Sequence, residues 1–219
     1  MKSKLLIIGS GGHFRSIIDC LNTEQYLGIA IIDNSFDENV HQKIETEFSI
    51  IARDSDAPRL FEEGYKLAVL AVGSVGDPSI RIGLFEKYKN IGFEFPAVID
   101  PSAIISKNTI IDEGVFIGKG TIINTGVELG VCVIVNTGAV IDHDCHLGDY
   151  VHIGPNVSLS GGVSIGNCSH IGVGSTIIQS VNIGENTIIG AGSVVIRDIP
   201  SNCTAVGVPA IPIKTRDGQ

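Results

Sequence analysis

One imidazole in this chain stands between two carboxylates, in the run Asp142-His143-Asp144. A histidine beside an acid can act as a general base, because the carboxylate favours the imidazolium and fixes the ring's orientation. The plainer reading is a surface corner at which His143 and Asp144 only hydrogen-bond and solvate, and Asp142 leaves open which acid assists. Other candidates recur at a fixed distance. His152 and His170 are eighteen residues apart, and Gly161 follows His143 by eighteen. Near the N-terminus, Gly9-Ser10-Gly11-Gly12-His13 separates an apolar run from one with helical spacing. Backbone N–H groups at such a turn can hold phosphate. A full dinucleotide fingerprint would want glycine at position 14, where this chain has Phe14. Asp33 follows at about the distance at which a ribose ligand is expected. A bare strand-to-helix turn is the alternative.

The elements that must position these groups fall into two stretches. From Val98 to Ile199 the chain divides into seventeen six-residue windows, each with an aliphatic second residue, as in Ile99, Ile117, Leu129, Ile141, Ile153 and Val195. The sixth residue is nearly always small or β-branched, as in Val115, Thr121, Cys145 and Ser175. A period of six fits neither an amphipathic helix nor an isolated strand ladder. It fits a solenoid with a triangular coil, three hexads per turn. At about 4.8 Å per coil the prism is roughly 27 Å long. Residues eighteen apart then stack, so Gly161 lies directly above His143. Ile141 faces the interior and His143 reaches the corner. Cys145 points inward. His146 falls on the next side, where a surface role is expected, and His170 reads as an exposed ladder residue. Pro200 and Val206-Gly207-Val208-Pro209-Ala210 are expected to end the coil, with Lys214–Gln219 a frayed tail.

The first stretch has no hexad register. Strands are expected at Lys4–Ile8, Gly28–Ile32 and Leu67–Val72, and helices at Phe14–Leu21, Ala57–Glu63 and Pro78–Asn90. This alternation implies a small parallel sheet. The expected division is residues 1–97 for an α/β domain and 98–219 for the coil with its C-terminal tail. Gly73, Ser74 and Arg81, following the third strand, are candidates to complete a pocket with the glycine turn.

Composition narrows the partners. The chain has 219 residues, 24 acidic against 15 basic, and a formal charge of −9, so a nucleic-acid partner is disfavoured. No apolar run approaches the roughly 18 residues of a membrane span. The opening Met1-Lys2-Ser3-Lys4 lacks the apolar core of a secretory signal. Five cysteines, with no CxxC pair, read as reduced thiols in a cytoplasmic protein.

The hexads, together with Asp198-Ile199-Pro200-Ser201 and Gly207-Val208-Pro209-Ala210, resemble the left-handed β-helix acyltransferases, whose C-terminal signature lies by coenzyme A. The handedness comes from that resemblance, since parallel crossovers are normally right-handed. The α/β head with its glycine turn, joined directly to the coil, is similar to the bacterial sugar O/N-acetyltransferases. These include enzymes of the bacillosamine type acting on UDP-4-amino sugars, and the sialic acid O-acetyltransferases. The resemblance covers essentially the whole chain. It implies acetyl-CoA as co-substrate, no metal, a homotrimer, and CoA lying along the coil between protomers. It puts His143 in the base role with Asp144 in support. It places Asn136, His152, Gly161, Gly207 and Pro209 near CoA or the acetyl group, with the Gly161 N–H a candidate oxyanion donor, although a glycine needed only for its corner is equally consistent. Gly11, Gly12, His13 and Asp33 would contact the nucleotide of the sugar. The expected activity is acetylation of the amine of a nucleotide-linked 4-amino sugar by direct transfer. Its rivals are O-acetylation of a sialic acid-type sugar and, more remotely, a zinc-dependent carbonic anhydrase-like trimer in which His152 and His170 on one face would meet His143 or His146 of a neighbouring protomer. An ice-binding scaffold would need a threonine ladder, which the chain lacks.

Overall fold

The computed structural model describes residues 3–35 and 50–215. Two compact units emerge, Met1–Ser74 with Ser79–Val98, and Val75–Pro78 with Ile99–Gln219.

The first unit is a four-stranded parallel sheet in the order β3-β2-β1-β4, formed by β1 (Lys4–Ile8), β2 (Gly28–Ile32), β3 (Ile50–Ala52) and β4 (Tyr65–Leu70). Leu5, Leu6 and Ile7 are fully buried, as a strand covered on both faces requires. Helices α1 (Gly12–Cys20), α2 (Ala57–Glu62) and α3 (Ser79–Ile91) bury Phe14 and Ile17, Ala57 and Leu60, and Phe85 and Tyr88. Two strands fall as expected from their apolar runs. β4 starts and ends two residues earlier than expected. β3 was not foreseen, because three residues are too few to show a period. The helix expected from Phe14 starts at Gly12, so His13 lies in its first turn rather than in the preceding loop.

The second unit is a parallel β-helix. Each hexad gives a two-residue strand, and strands eighteen residues apart pair in register, as Ile134 with His152 and Ile141 with Leu159. They form three sheets, and each side of the prism takes every third hexad. The winding is left-handed. From Ile117 to Val195 every second-position residue is 2% exposed or less. Ile99 is 39% exposed and Ile105 and Ile111 are half-buried, because the first coil has no coil beneath it. Polar residues at the sixth position are buried but satisfied: Thr121 donates to Gly118 O at 2.7 Å, Ser169 to Gly184 O at 2.8 Å and Ser175 to Gly190 O at 3.0 Å.

The corners have one conformational rule. The fifth position of every hexad from Gly114 to Gly192 has positive φ. Glycine or asparagine fills most of these positions, since a Cβ is disfavoured there. Asp144 occupies one, at φ 57°.

The top differs from expectation. Residues past Pro200 do not simply stop the coil. Cys203–Gly207 adds to one face of the prism by pairing Thr204 with Ile188, then reverses into Ala210–Thr215 as an antiparallel hairpin. Val208-Pro209 is cis, giving a type VI turn. Lys214 and Thr215, expected in a tail, pair with Thr204 and Cys203. Residues 216–219 of that expected tail lie outside the described residues.

Candidate active site

His143 stands on the corner between the face carrying Val140–Ile141 and the face carrying His146–Leu147. Its Nδ1 is 2.9 Å from Asp144 Oδ2. An ionised carboxylate only accepts, so in the neutral ring Nδ1 carries the hydrogen and Nε2 keeps its lone pair. The ring is 56% exposed, open to an incoming nucleophile. Its pKa is raised above the ordinary value, first by the hydrogen bond to Asp144 and then by the charge of Asp142.

The glycines around this corner are spaces for side chains. A Cβ on Gly161 would stand 2.5 Å from both Cε1 and Nε2 of His143, so the imidazole packs directly against Gly161, one coil above. A Cβ on Gly126, one coil below, would run into Oδ1 of Asp144. Gly126 and Asn124 were missed in the sequence. Both stand eighteen residues before a member of the triplet, Asn124 below Asp142 and Gly126 below Asp144, and that offset could have found them. Asn124 Nδ2 donates to Asp142 Oδ1 at 2.9 Å, and the His143 N–H donates to the same oxygen at 2.8 Å.

Cys145 is 1% exposed and its thiol faces Ser160 O at 3.2 Å. Burial pushes its pKa up. A buried, protonated thiol is a poor nucleophile, which favours direct transfer over a thioester on the enzyme.

The other coil candidates are not brought to this corner. His152 belongs to the eight-stranded face, which is the side of the triangle opposite the His143 corner. There it is 9% exposed, in register with His170, and their rings meet edge-on at 4.7 Å between centroids. Asn136 lies at the corner following that face, where its Oδ1 accepts the Thr137 N–H at 2.8 Å. Gly207 and Pro209 sit in the hairpin that extends the same face, with Gly207 N–H donating to Ser193 Oγ at 3.2 Å. Within one chain, then, His152, Asn136, Gly207 and Pro209 share no cleft with His143. Stacking aligns residues along one edge of a prism and cannot join an edge to the opposite face. Only Gly161 among the CoA candidates shares the corner with His143. His146 faces solvent on the next side and pairs with Glu128 Oε2 at 3.1 Å. Within one chain His143, His146 and the His152–His170 pair thus lie on different parts of the prism. Among the described residues no three His, Cys, Asp or Glu side chains are grouped to hold a metal ion.

In the first unit, the loops after β1 and β4 meet. A Cβ on Gly9 would stand 2.7 Å from Val72 Cγ2, and one on Gly73 would stand 3.5 Å from His13 Cβ. In the order β3-β2-β1-β4 this is the point where the chain changes direction across the sheet, the usual crevice for ligands in open α/β sheets. Ser74 is buried there. Gly11 caps α1 in extended conformation, and Cβ atoms on Gly11 and Gly12 would meet nothing within 4 Å. Neither packing nor a positive φ requires glycine at these two positions. Asp33 Oδ2 takes both the N–H of Ser10 at 2.9 Å and its hydroxyl at 2.7 Å, so Asp33 holds the glycine turn in shape. Burial alone would raise the Asp33 pKa, but the hydrogen bonds from Ser35 and Ser10 outweigh it and the net shift is downward. Arg81 is 2% exposed and donates to Val72 O at 2.7 Å, so it anchors the β4 loop from within α3. Beside these loops Ile8, Ile32, Asp33, Asp54, Val72 and Ile80 line a cavity of about 190 Å³.

Residues 4–88 match the family model described as the PglD N-terminal domain. Perosamine N-acetyltransferase from Caulobacter crescentus, crystallised with CoA and GDP-perosamine, is 37% identical over 96% of this chain and 97% of its own, with a TM-score of 0.88. The chain belongs to the hexapeptide-repeat sugar acetyltransferases. The acetyltransferase domain of PglB from Neisseria gonorrhoeae FA1090, solved with acetyl coenzyme A, is a further member at 33% identity over 97% of this chain and 100% of its own, TM-score 0.87. WeeI from Acinetobacter baumannii AYE, 22% identical over 95% and 99% of the two chains with a TM-score of 0.76, shares the fold. A comparison with curated proteins finds no significant match. Among the described residues no helix is long and apolar enough to cross a membrane.

Proposed function

We propose that this family member transfers the acetyl group of acetyl-CoA to the amine of a nucleotide-linked 4-amino sugar, with His143 as general base. The observation that carries the reading is the His143 corner: an exposed imidazole whose Nδ1 is held by Asp144. The relatives crystallised with CoA and GDP-perosamine, or with acetyl coenzyme A, support the substrate pair. Two structures of the Caulobacter enzyme carry a single histidine replaced by asparagine or alanine.

The neutral amine attacks the thioester carbonyl, and the carbonyl electrons move onto oxygen. His143 Nε2 takes the proton that the amine loses, and Asp144 stabilises the imidazolium. The tetrahedral intermediate collapses with loss of the CoA thiolate, which the imidazolium proton can neutralise. The Gly161 N–H is the proposed donor to the oxyanion, because Gly161 lies against the ring that receives the proton. In the first unit, the N-terminus of α1 and the bare Gly11-Gly12 turn would receive the diphosphate, with His13 and Ser74 beside it. Asp33 shapes that turn. The reaction would run in the cytoplasm.

This reading needs more than one copy of the chain. His152 can approach acetyl-CoA held at His143 only if it comes from a neighbouring protomer, since within one chain it lies on the face opposite that corner, and Asn136 stands a full side of the triangle away. A homotrimer with three shared sites satisfies this, and the flat faces suit side-by-side packing.

The activity is tested by thiol release from acetyl-CoA with a panel of GDP- and UDP-linked 4-amino sugars and sialic acids. Release with the nucleotide-linked amines and mass gain on nitrogen are expected. Release with the sialic acids alone would overturn the proposal in favour of O-acetylation. The shared site is tested by co-assembling His143→Ala with His152→Ala chains. Random assembly in equal amounts restores about a quarter of the sites. Activity no greater than that of the two variants assayed separately would refute it.

A further inference from the structure

We propose that Asp142, anchored by Asn124, is a second positioning residue for the base, holding the His143 corner and keeping a fixed negative charge beside the ring without touching it. This rests on the reading of His143 as base.

Two donors converge on one oxygen. Asn124 Nδ2 and the His143 N–H both bond Asp142 Oδ1, at 2.9 and 2.8 Å. The backbone on each side is tied as well: Asn124 N–H donates to Ile141 O at 2.9 Å and Asp142 N–H to Leu159 O at 3.0 Å. The corner that carries the base is thus fixed from the coil below and the coil above.

The same turn elsewhere shows what the geometry alone requires. At Asn136 the third-position side chain also accepts the N–H of the next residue, at 2.8 Å, with a neutral amide. An asparagine therefore serves the corner. At position 142 the chain has a carboxylate instead, next to the imidazole and one coil above an amide that donates to it. The added feature is charge, and charge matters to a ring that must become positive.

The two acids divide the task. Asp144 meets Nδ1 and sets the tautomer. Asp142 does not reach the ring. Its two hydrogen bonds hold its carboxyl below the usual carboxylate range, so it stays ionised while the base gains its proton. Its charge is the second cause of the raised His143 pKa, after the Asp144 hydrogen bond. Among the described residues, the elements packed around the ring add only one charged pair. Gly161 and Gly162 stand above, Asn124 to Gly126 below, and on the next face His146 and Glu128 pair with each other.

The experiment measures kcat against pH, and titrates the His143 ring by NMR, in the full chain and in Asp142→Asn, Asn124→Ala and His143→Ala. Asparagine at 142 keeps both hydrogen bonds and removes only the charge, so folding is preserved. The acid limb of kcat and the ring titration should both move to lower pH, with kcat falling about fivefold, the scale of one exposed charge interaction. Both KM values should hold. Asn124→Ala should move the same two readouts in the same direction by less. Unmoved limb and titration in Asp142→Asn, with His143→Ala inactive, would overturn the inference and leave the base reading intact. Full turnover in His143→Ala would overturn both.

Discussion

Replacing Gly161 by alanine tests the site at its tightest point. Gly161 has no positive φ, so the backbone accepts alanine without strain. The new methyl would stand 2.5 Å from Cε1 and Nε2 of His143 and 3.1 Å from Nδ1. Carbon contacts are comfortable from about 3.5 Å, so the ring must retreat by roughly 1 Å. Nδ1 lies 2.9 Å from Asp144, and a shift of that size stretches or breaks the bond that sets the tautomer. A misplacement of about 1 Å in a reacting group costs on the order of a hundredfold, about 2.7 kcal/mol of transition-state stabilisation. Stability should change by less than about 0.5 kcal/mol, because the displaced ring is exposed and can swing into water. The assay is thiol release at saturating acetyl-CoA and sugar, with thermal unfolding as the control for folding. The expected result is kcat down about a hundredfold with an unchanged melting temperature. Turnover within about twofold of the parent would refute the claim that ring placement against Gly161 matters.

Other outcomes follow from the same geometry. His143→Ala should abolish transfer in a folded protein, while Asp144→Ala should lose less, because Nε2 remains; equal losses would give Asp144 a more direct part. The base acts only when neutral, and its pKa is raised, so kcat should fall on acidification through a midpoint above the ordinary histidine value. Asp144→Asn should lower that midpoint, and a profile that stays in place would remove Asp144 from the base. Gly11→Val adds a side chain where a Cβ meets nothing, so the fold should persist while the KM for the nucleotide sugar rises at least tenfold, on the order of one lost charge-assisted contact, and that for acetyl-CoA holds. A rise in both KM values would point away from a nucleotide site at that turn.

The six-residue period alone announced the solenoid, its three sides and the stacking of residues eighteen apart, because burial recurs at the period of the coil. The same arithmetic put Gly161 over His143 and would have put Asn124 under Asp142 and Gly126 under Asp144. The β-α-β alternation gave the head, except for the three-residue β3, which is too short to carry a pattern. What the sequence could not supply was direction around the prism. Spacing says which residues share an edge, and only the closed coil says which edge faces which side. That is why His152, near His143 in number, lies across the interior from it, and Asn136 stands a full side of the triangle away. The roles of Asp33 and Arg81 were hidden for a related reason, since a side chain's partner depends on which loop is folded against it. The terminal hairpin, too, needed the top coil in place, because its first strand exists only by adding to an edge that the preceding coils build.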